Sequence, residues 1–317
     1  MATIVRRHFF RTGDRAQARD LFKLAVTRVN LETSSYCNRR CGYCPNAFID
    51  RITDKKYMPD PVLDGILADL KEIDYDRDIV LHYYNEPLAD PQFCDKVART
   101  VAACPKANVE AYSNGDYLDR DMLENLRRAG LKTLVLSLHL AAQAPWSDAG
   151  IINRLTEICA RLGKPARIES FEAGRAIIGT IPDRDIAIRI QHRNYYTYSG
   201  MDRGGLMTNL WAPEAHNLPC LQPFTDLYVA WDGGIFPCCN VHPDAEEHRQ
   251  YRIGSVSDFP SIFQAYADSA LVEWRDALAA PVERRPPCKT CALGVMDPNE
   301  AAAIRGIHQR AHQEGGE

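Results

Sequence analysis

The chain is 317 residues long, 45% hydrophobic and 25% charged, with a formal net charge of −4. That composition is globular and suits one large domain or a domain with a smaller appendage. It excludes a broadly basic nucleic-acid surface, no apolar run nears the roughly 20 residues that span a bilayer, and the segment MATIVRRHFFRTGDRAQARDLF lacks the apolar core of a secretory signal, so the expectation is a cytoplasmic protein without membrane or nucleic-acid partners.

A short helix at 16–26 precedes a strand at 28–32, which runs straight into a cysteine-rich loop. Residues 60–73 carry Val62, Leu63, Ile66, Leu67 and Leu70 at three- and four-residue intervals and predict a helix. A strand at 78–83, a helix at 92–103 and a strand at 108–112 follow, the last closing on an Asn114-Gly115 turn. The spacing then gives a helix at 120–129 ended by Gly130, a strand at 132–138, a helix at 151–162, and strands at 167–171 and 186–191. Strand and helix alternate, so a parallel α/β sheet is expected. The six strands before residue 195 predict a partial (β/α)6 TIM-like barrel, with its chemistry at the C-terminal strand ends. Beyond about residue 205 the rhythm stops and Pro, Gly and Cys become frequent, which divides the chain into 1–205 and a smaller region, 206–317.

The chain has 11 cysteines, an odd number. In a reducing compartment, clustered cysteines bind metal or do redox work rather than form disulfides. Cys94, Cys104 and Cys159 are scattered and read as buried small hydrophobes. The others fall in two groups.

Residues 33–46, TSSYCNRRCGYCPN, place Cys37, Cys41 and Cys44 in a C-x3-C-x2-C loop after the first strand. Three thiolates on one loop can hold three corners of a [4Fe–4S] cube and leave the fourth iron open. Zinc is the alternative, but it prefers four ligands, and three cysteines would leave it open. The segment, with Tyr43 just before the third cysteine, resembles the signature of the radical S-adenosylmethionine superfamily. The resemblance implies that the open iron chelates S-adenosylmethionine, and that electron transfer splits the sulfonium into methionine and a 5′-deoxyadenosyl radical that takes hydrogen from substrate. It also implies an external electron donor such as flavodoxin or ferredoxin.

Three further segments extend the resemblance over most of residues 30–140. YYNEPLADP, 83–91, is similar to the family's Gly-Gly-Glu-Pro segment, with Tyr84 and Asn85 in place of the glycines and Glu86 matching the carboxylate that meets the methionyl ammonium. A bland reading makes Glu86 a solvated helix-start carboxylate. Ser113 and Asn114, in YSNG, and Ser137, closing the fourth strand, resemble positions that touch the cofactor's ribose or carboxylate; each also suits an ordinary turn.

The second group lies in CLQPFTDLYVAWDGGIFPCCN, 220–240, and CKTC, 288–291. Residues 227–230 and 235–238 form a β-hairpin about Asp232-Gly233-Gly234, and a helical stretch near 261–279 precedes the C-x2-C. From the residues alone, Cys220, Cys238, Cys288 and Cys291 suit structural zinc as well as an iron–sulfur cluster. Their pattern is similar to the shortened SPASM-type region called twitch, which implies one auxiliary [4Fe–4S] cluster with no open site. Cys239 can replace Cys238 as a ligand, pack quietly, or donate hydrogen as a thiol.

Family members with such a region include the aminocyclitol dehydrogenase of butirosin biosynthesis and enzymes that oxidise or epimerise antibiotic sugars. The resemblance therefore implies a small polar substrate, such as an aminosugar, aminocyclitol or nucleoside sugar, and alcohol oxidation in natural-product biosynthesis. Residues 189–205, RIQHRNYYTYSGMDRGG, link the two regions. Arg189 and Tyr198 are candidate substrate contacts and Arg203 a candidate catalytic residue, against a solvated linker. The other readings are an epimerase, a ribosomal-peptide modifying enzyme, or a zinc-stabilised binding protein.

Overall fold

Val29 and Leu31 are fully buried and Arg28 and Asn30 point the other way, which builds β1 (Arg28–Leu31). The computed structural model describes residues 4–142, 144–198, 201–210, 217–291 and 298–313. In it β1 lies in a ten-stranded sheet of order β10-β9-β8-β1-β2-β3-β4-β7-β6-β5. The other strands are β2 (Asp78–Val80), β3 (Asn108–Ser113), β4 (Thr133–Leu136), β5 (Arg167–Glu172), β6 (Ala176–Ile181), β7 (Ala187–Arg193), β8 (Asp226–Val229), β9 (Gly234–Phe236) and β10 (Gly254–Ser255).

Helices α1 (Arg15–Ala25), α2 (Asp60–Glu72), α3 (Phe93–Ala103), α4 (Arg120–Ala129) and α5 (Asp148–Leu162) supply the apolar layer over this sheet. The periodicity of α2 holds: Leu63, Ile66, Leu67 and Leu70 are its buried face, each contributing on the order of 2 kcal/mol of burial. Asp119 and Ser147 cap α4 and α5 by accepting from the amides of Met122 and Gly150. The short helices α6 (Tyr195–Tyr198), α7 (Gln222–Thr225) and α8 (Ile262–Tyr266), then α9 (Ser269–Ala279) and α10 (Pro298–Gln313), complete the described α-helices.

Six strands are parallel, but they are not the six expected. Residues 167–172 pair antiparallel with β6, and β6 pairs antiparallel with β7, so this meander stands outside the parallel run. Every residue of β5 is exposed; an apolar face would have marked it as a core strand, and none is present. Gly179 of β6 lets the two backbones close up, since a Cβ there would lie 2.4 Å from the Arg167 carbonyl. The sixth parallel strand is β8, which pairs with β1 in register Arg28 to Asp226. The parallel run is thus β8-β1-β2-β3-β4-β7, and the expected hairpin, β8 with β9, joins the barrel through its first strand. This is a partial parallel α/β barrel.

The cysteine loop is fixed by a dry ion pair. Glu32, next after β1, accepts from Arg51 Nη1 at 2.6 Å and from the Tyr84 amide at 2.9 Å. Arg51 Nη2 lies 2.8 Å from Asp244 Oδ2, and the Arg51 carbonyl accepts from the Cys37 amide at 3.1 Å. The Glu32 and Arg51 side chains are 0% and 1% exposed. Removing one partner strands a buried charge, so Glu32→Ala is expected to cost about 3–5 kcal/mol, read as a lower urea midpoint. Glu32→Gln, which keeps the volume and an acceptor, should lose less; equal midpoints for Glu32→Ala and the natural chain would refute this role.

Candidate active site

The C-terminal ends of the parallel strands surround a cavity of about 400 Å³, a size suited to a small ligand. Cys37, Cys41 and Cys44 line one side together. Burial raises Cys37 to about 12 and Cys41 to about 11, and the neighbouring thiols add to both shifts. Two arginines hold the loop at opposite ends: Arg51 as above, and Arg39, which grips Asp116 with Nε at 2.6 Å and Nη2 at 2.7 Å. Arg39 Nη1 also donates to the Leu140 carbonyl at 2.8 Å. Burial alone would raise Asp116, but Arg39, Asn38 and Arg154 hold it below the usual carboxylate range.

Tyr84, Asn85, Glu86, Ser113, Asn114 and Ser137 all reach the same cavity. Glu86 is buried and accepts from Ser113 Oγ at 2.7 Å, the Asn114 amide at 2.7 Å and the Leu88 amide at 3.1 Å. Burial nevertheless pushes it up to about 7. Asn85 turns inward on the backbone: its Oδ1 accepts from the Tyr83 amide and its Nδ2 donates to Thr33 Oγ1. The Asn114-Gly115 turn needs Gly115, whose φ is 74°. Asn114 Nδ2 donates to Asn38 Oδ1 at 2.8 Å, which ties the turn to the cysteine loop. The Tyr43 hydroxyl lies 2.6 Å from His139 Nδ1, and its ring stacks on Tyr195 at 4.7 Å.

Arg203 and Cys239 line the wall opposite the strand ends' serines and asparagines. Arg203 is in the left-handed region, φ 55°, a strained backbone for a non-glycine residue. Its Nε is buried without a hydrogen-bond partner. Among the described residues no carboxylate pairs with it; the ionisable groups that favour its charge are Tyr84, Cys44, Tyr195 and Cys239. Arg189 is exposed and does not belong to the wall, whereas Gln191, two residues along the same face of β7, does. Tyr198 ends α6, and its side chain lies outside the described residues.

Cys238 is crowded by Cys239, Cys288 and Cys291, and Cys288 by Cys220 and Cys291, so four thiols gather behind the hairpin. Asn240 Nδ2 donates to Cys291 Sγ at 2.9 Å. Cys239 differs from Cys238 in reaching the cavity, where it neighbours the Tyr228 hydroxyl and Arg203. A tyrosine wall separates the two thiol groups: Tyr83 donates to the Cys238 carbonyl at 2.8 Å and Tyr84 to the Cys239 carbonyl at 2.9 Å.

The cavity floor adds residues that the motifs did not single out: His82, Tyr112, Gln191, Asp226 and Tyr228. Their signal was the two-residue period of a strand, which puts His82 on the same face as Val80 and Tyr84. Arg39 sat inside the cysteine motif and Asp116 just after the YSNG turn, but nothing in the spacing paired them. Asp226 accepts from Tyr228 at 2.9 Å and Thr225 Oγ1 at 2.8 Å, and burial raises its carboxyl.

Residues 31–168 match the Radical SAM superfamily, and residues 220–292 match SPASM, an iron-sulfur cluster-binding domain. The chain belongs to the radical SAM superfamily and carries a C-terminal SPASM-type region. Among curated proteins it is similar to the S-adenosyl-L-methionine-dependent 2-deoxy-scyllo-inosamine dehydrogenase of Niallia circulans, at 24% identity over 210 residues, 66% of this chain and 72% of that protein. Among solved structures it is similar to BtrN in complex with AdoMet and 2-DOIA, with a TM-score of 0.57 and 21% identity over 80% of this chain and 87% of that one. The open conformation of BtrN matches with a TM-score of 0.51 and 19% identity over 80% and 85%. These structural likenesses establish the fold. The chain is a radical S-adenosylmethionine enzyme whose cofactors are S-adenosylmethionine and [4Fe–4S] clusters, and the donor sets fit: three thiols on one loop beside an open cavity, and four gathered away from it. No described helix is long and apolar enough to cross a membrane.

Glu86 gives a pH test. A carboxyl raised to about 7 in the fold binds its proton more tightly there than in the unfolded chain, so stability without cofactor falls as pH rises from about 4.5 to 7, by about 3 kcal/mol. Glu86→Gln cannot ionise. Its unfolding midpoint relative to the natural chain should therefore climb across that window, a slope that the constant loss of a hydrogen bond does not mimic.

Proposed function

We propose that the chain oxidises a secondary alcohol of a small aminosugar, aminocyclitol or nucleoside sugar to a ketone in natural-product biosynthesis. The observation that carries this reading is the polar side of a small open cavity beside the first thiol group, lined by His82, Tyr112, Gln191, Asp226 and Tyr228. Such a lining suits hydroxyls and an ammonium rather than an apolar or extended chain. The likeness to a 2-deoxy-scyllo-inosamine dehydrogenase supports the same chemistry.

When bound, S-adenosylmethionine and its cluster supply hydrogen-atom abstraction. The chain's residues divide the remaining work. Cys37, Cys41 and Cys44 hold the catalytic cluster, and Cys220, Cys238, Cys288 and Cys291 the auxiliary one. Glu86 takes the methionyl ammonium, with Ser113, Asn114, Ser137 and Tyr43 around the rest of the cofactor and Tyr84 and Asn85 fixing the segment that carries Glu86. Asp226 offers a carboxylate to a substrate amine, since among the described residues no cation pairs with it. Arg203 offers its guanidinium to a substrate oxygen. After loss of a hydrogen atom, a secondary alcohol must still lose one proton and one electron to become a ketone, with the auxiliary cluster that Cys220, Cys238, Cys288 and Cys291 would hold as the acceptor of that electron. His82 is held neutral, at about 4, by burial and the Arg203 charge, and it can accept that proton. The electron donor to the enzyme is a small reducing protein of the flavodoxin or ferredoxin class.

The reading fixes metal content. Reconstitution should give about eight irons per chain, and Cys37→Ala/Cys41→Ala/Cys44→Ala about four. The triple variant should still fold and should form no 5′-deoxyadenosine; retained formation sinks the catalytic assignment. Four irons with one zinc at the second cysteine group would remove the auxiliary cluster and leave the first.

One observation favours a second reading. Cys239 reaches the cavity, where a thiol could return hydrogen to the opposite face and give an epimer. Deuterated buffer separates the two outcomes, because a thiol exchanges with solvent. Oxidation should place no deuterium at the reacting carbon and yield a product two electrons poorer than substrate. Deuterium there, lost in Cys239→Ala, would establish epimerisation instead.

A further inference from the structure

Among the described residues outside the cysteine groups and the cavity, one set of metal-ligating donor atoms converges. His308 and His312 stand one turn apart on α10, so both imidazoles leave the same face. Asp276 faces them from α9. His308 Nε2 and His312 Nε2 lie 3.1 Å and 2.7 Å from one atom, Asp276 Oδ1. One ligand atom from each residue falls within 4.8 Å of the others. Ligands about 2.0–2.1 Å from a tetrahedral ion stand about 3.4 Å apart, so these atoms need only small side-chain rotations to enclose one. Glu273, one turn before Asp276, lines the same surface hollow and adds a second carboxylate.

We propose that Asp276, His308 and His312 form a binding site for a divalent transition ion of the zinc class, with Glu273 or water completing the shell. Two imidazoles and a carboxylate are borderline ligands: too nitrogen-rich for calcium or magnesium, and without the thiolate that iron–sulfur clusters require. The site is partly preorganised. His308 is 14% exposed and packs edge-on against Phe9 at 5.1 Å, while His312 is 48% exposed and leaves an approach from solvent. None of these residues lines the cavity at the strand ends, so the site is separate from the chemistry.

The packing supplies a reason for a clip at this point. The buried apolar residues of α10 are Ala301, Ile304 and Ala311, with Ile307 partly buried beside them; two of the buried three are methyl-sized, so hydrophobic burial attaches the helix modestly. An ion bridging α9 and α10 exists only when the helix is docked, and it stabilises that state by mass action.

The test is a zinc titration of the iron–sulfur-loaded chain under anaerobic conditions, with zinc and iron measured after dialysis. The expected result is one zinc per chain with iron unchanged, and slower amide exchange across α10 when zinc is present. His308→Ala, His312→Ala and Asp276→Ala should each weaken zinc binding by at least the roughly 100-fold that changes even outside the ligand shell can cost. His312 is half exposed, so its replacement tests the site without disturbing the core. Zinc uptake equal in His312→Ala and the natural chain, or no zinc retained at tens of micromolar, would overturn the proposal. Loss of iron on adding zinc would locate the ion at the cysteines and overturn it equally.

Discussion

Glu32 and Arg51 meet in a place without water, and the geometry around the cysteine loop follows from their contact. The loop has no run of helix or strand to hold it, so its shape has to be imposed from outside. Glu32 projects from the end of the central strand, and Arg51 lies just beyond the loop, its carbonyl receiving the Cys37 amide. A pair this dry has a large desolvation cost, which is offset only when the remaining lone pairs and N–H groups find partners. Here they recruit the Tyr84 amide and Asp244. One ion pair therefore ties together the first strand, the cysteine loop, the segment with Glu86, and the region after the hairpin. Arg39 and Asp116 hold the other flank, in a wetter setting where bidentate geometry contributes more than burial.

The two positions at which this chain departs from the family's Gly-Gly-Glu-Pro pattern have structural work to do. Asn85 satisfies its own strand's backbone. Tyr84 reaches across to the hairpin, where its hydroxyl meets the Cys239 carbonyl and its ring lies 4.2 Å from His242. Tyr83 makes the equivalent contact at Cys238. The segment that carries Glu86 is thus the inner wall of the auxiliary region, in direct contact with the backbone of Cys238 and Cys239. Arg203 and Asp226 lie in the walls of that cavity, each lacking an oppositely charged partner among the described residues. Both are partly buried, and the charge of Arg28 also acts on Asp226, so each leaves polar valence at the cavity wall that a polar ligand can meet.

Sequence periodicity reported the helices well because each buries one apolar stripe, as Leu63, Ile66, Leu67 and Leu70 do on α2. It misassigned one strand and gave no element at β6 or α10. Residues 167–172 carry Ile168 and Phe171 on opposite faces and expose both, and β8, which takes the sixth parallel place, lies nearly sixty residues later in a segment that reads locally as a hairpin. A hairpin and an edge addition to β1 are compatible, and local pattern carries no information about which edge a strand will find.

By itself the sequence determined the class of chemistry, because three thiols within eight residues must share one loop wherever the chain folds, and because short motifs keep their spacing in any tertiary setting. It could not place Arg189 out of the cavity and Gln191 into it, separate Cys239 from Cys238, or join His82 to Asp226. Those facts depend on residues far apart in the chain being brought to one surface by strand order and register, and a one-residue shift in register exchanges the inward and outward faces of a strand. Only the tertiary structure decides that.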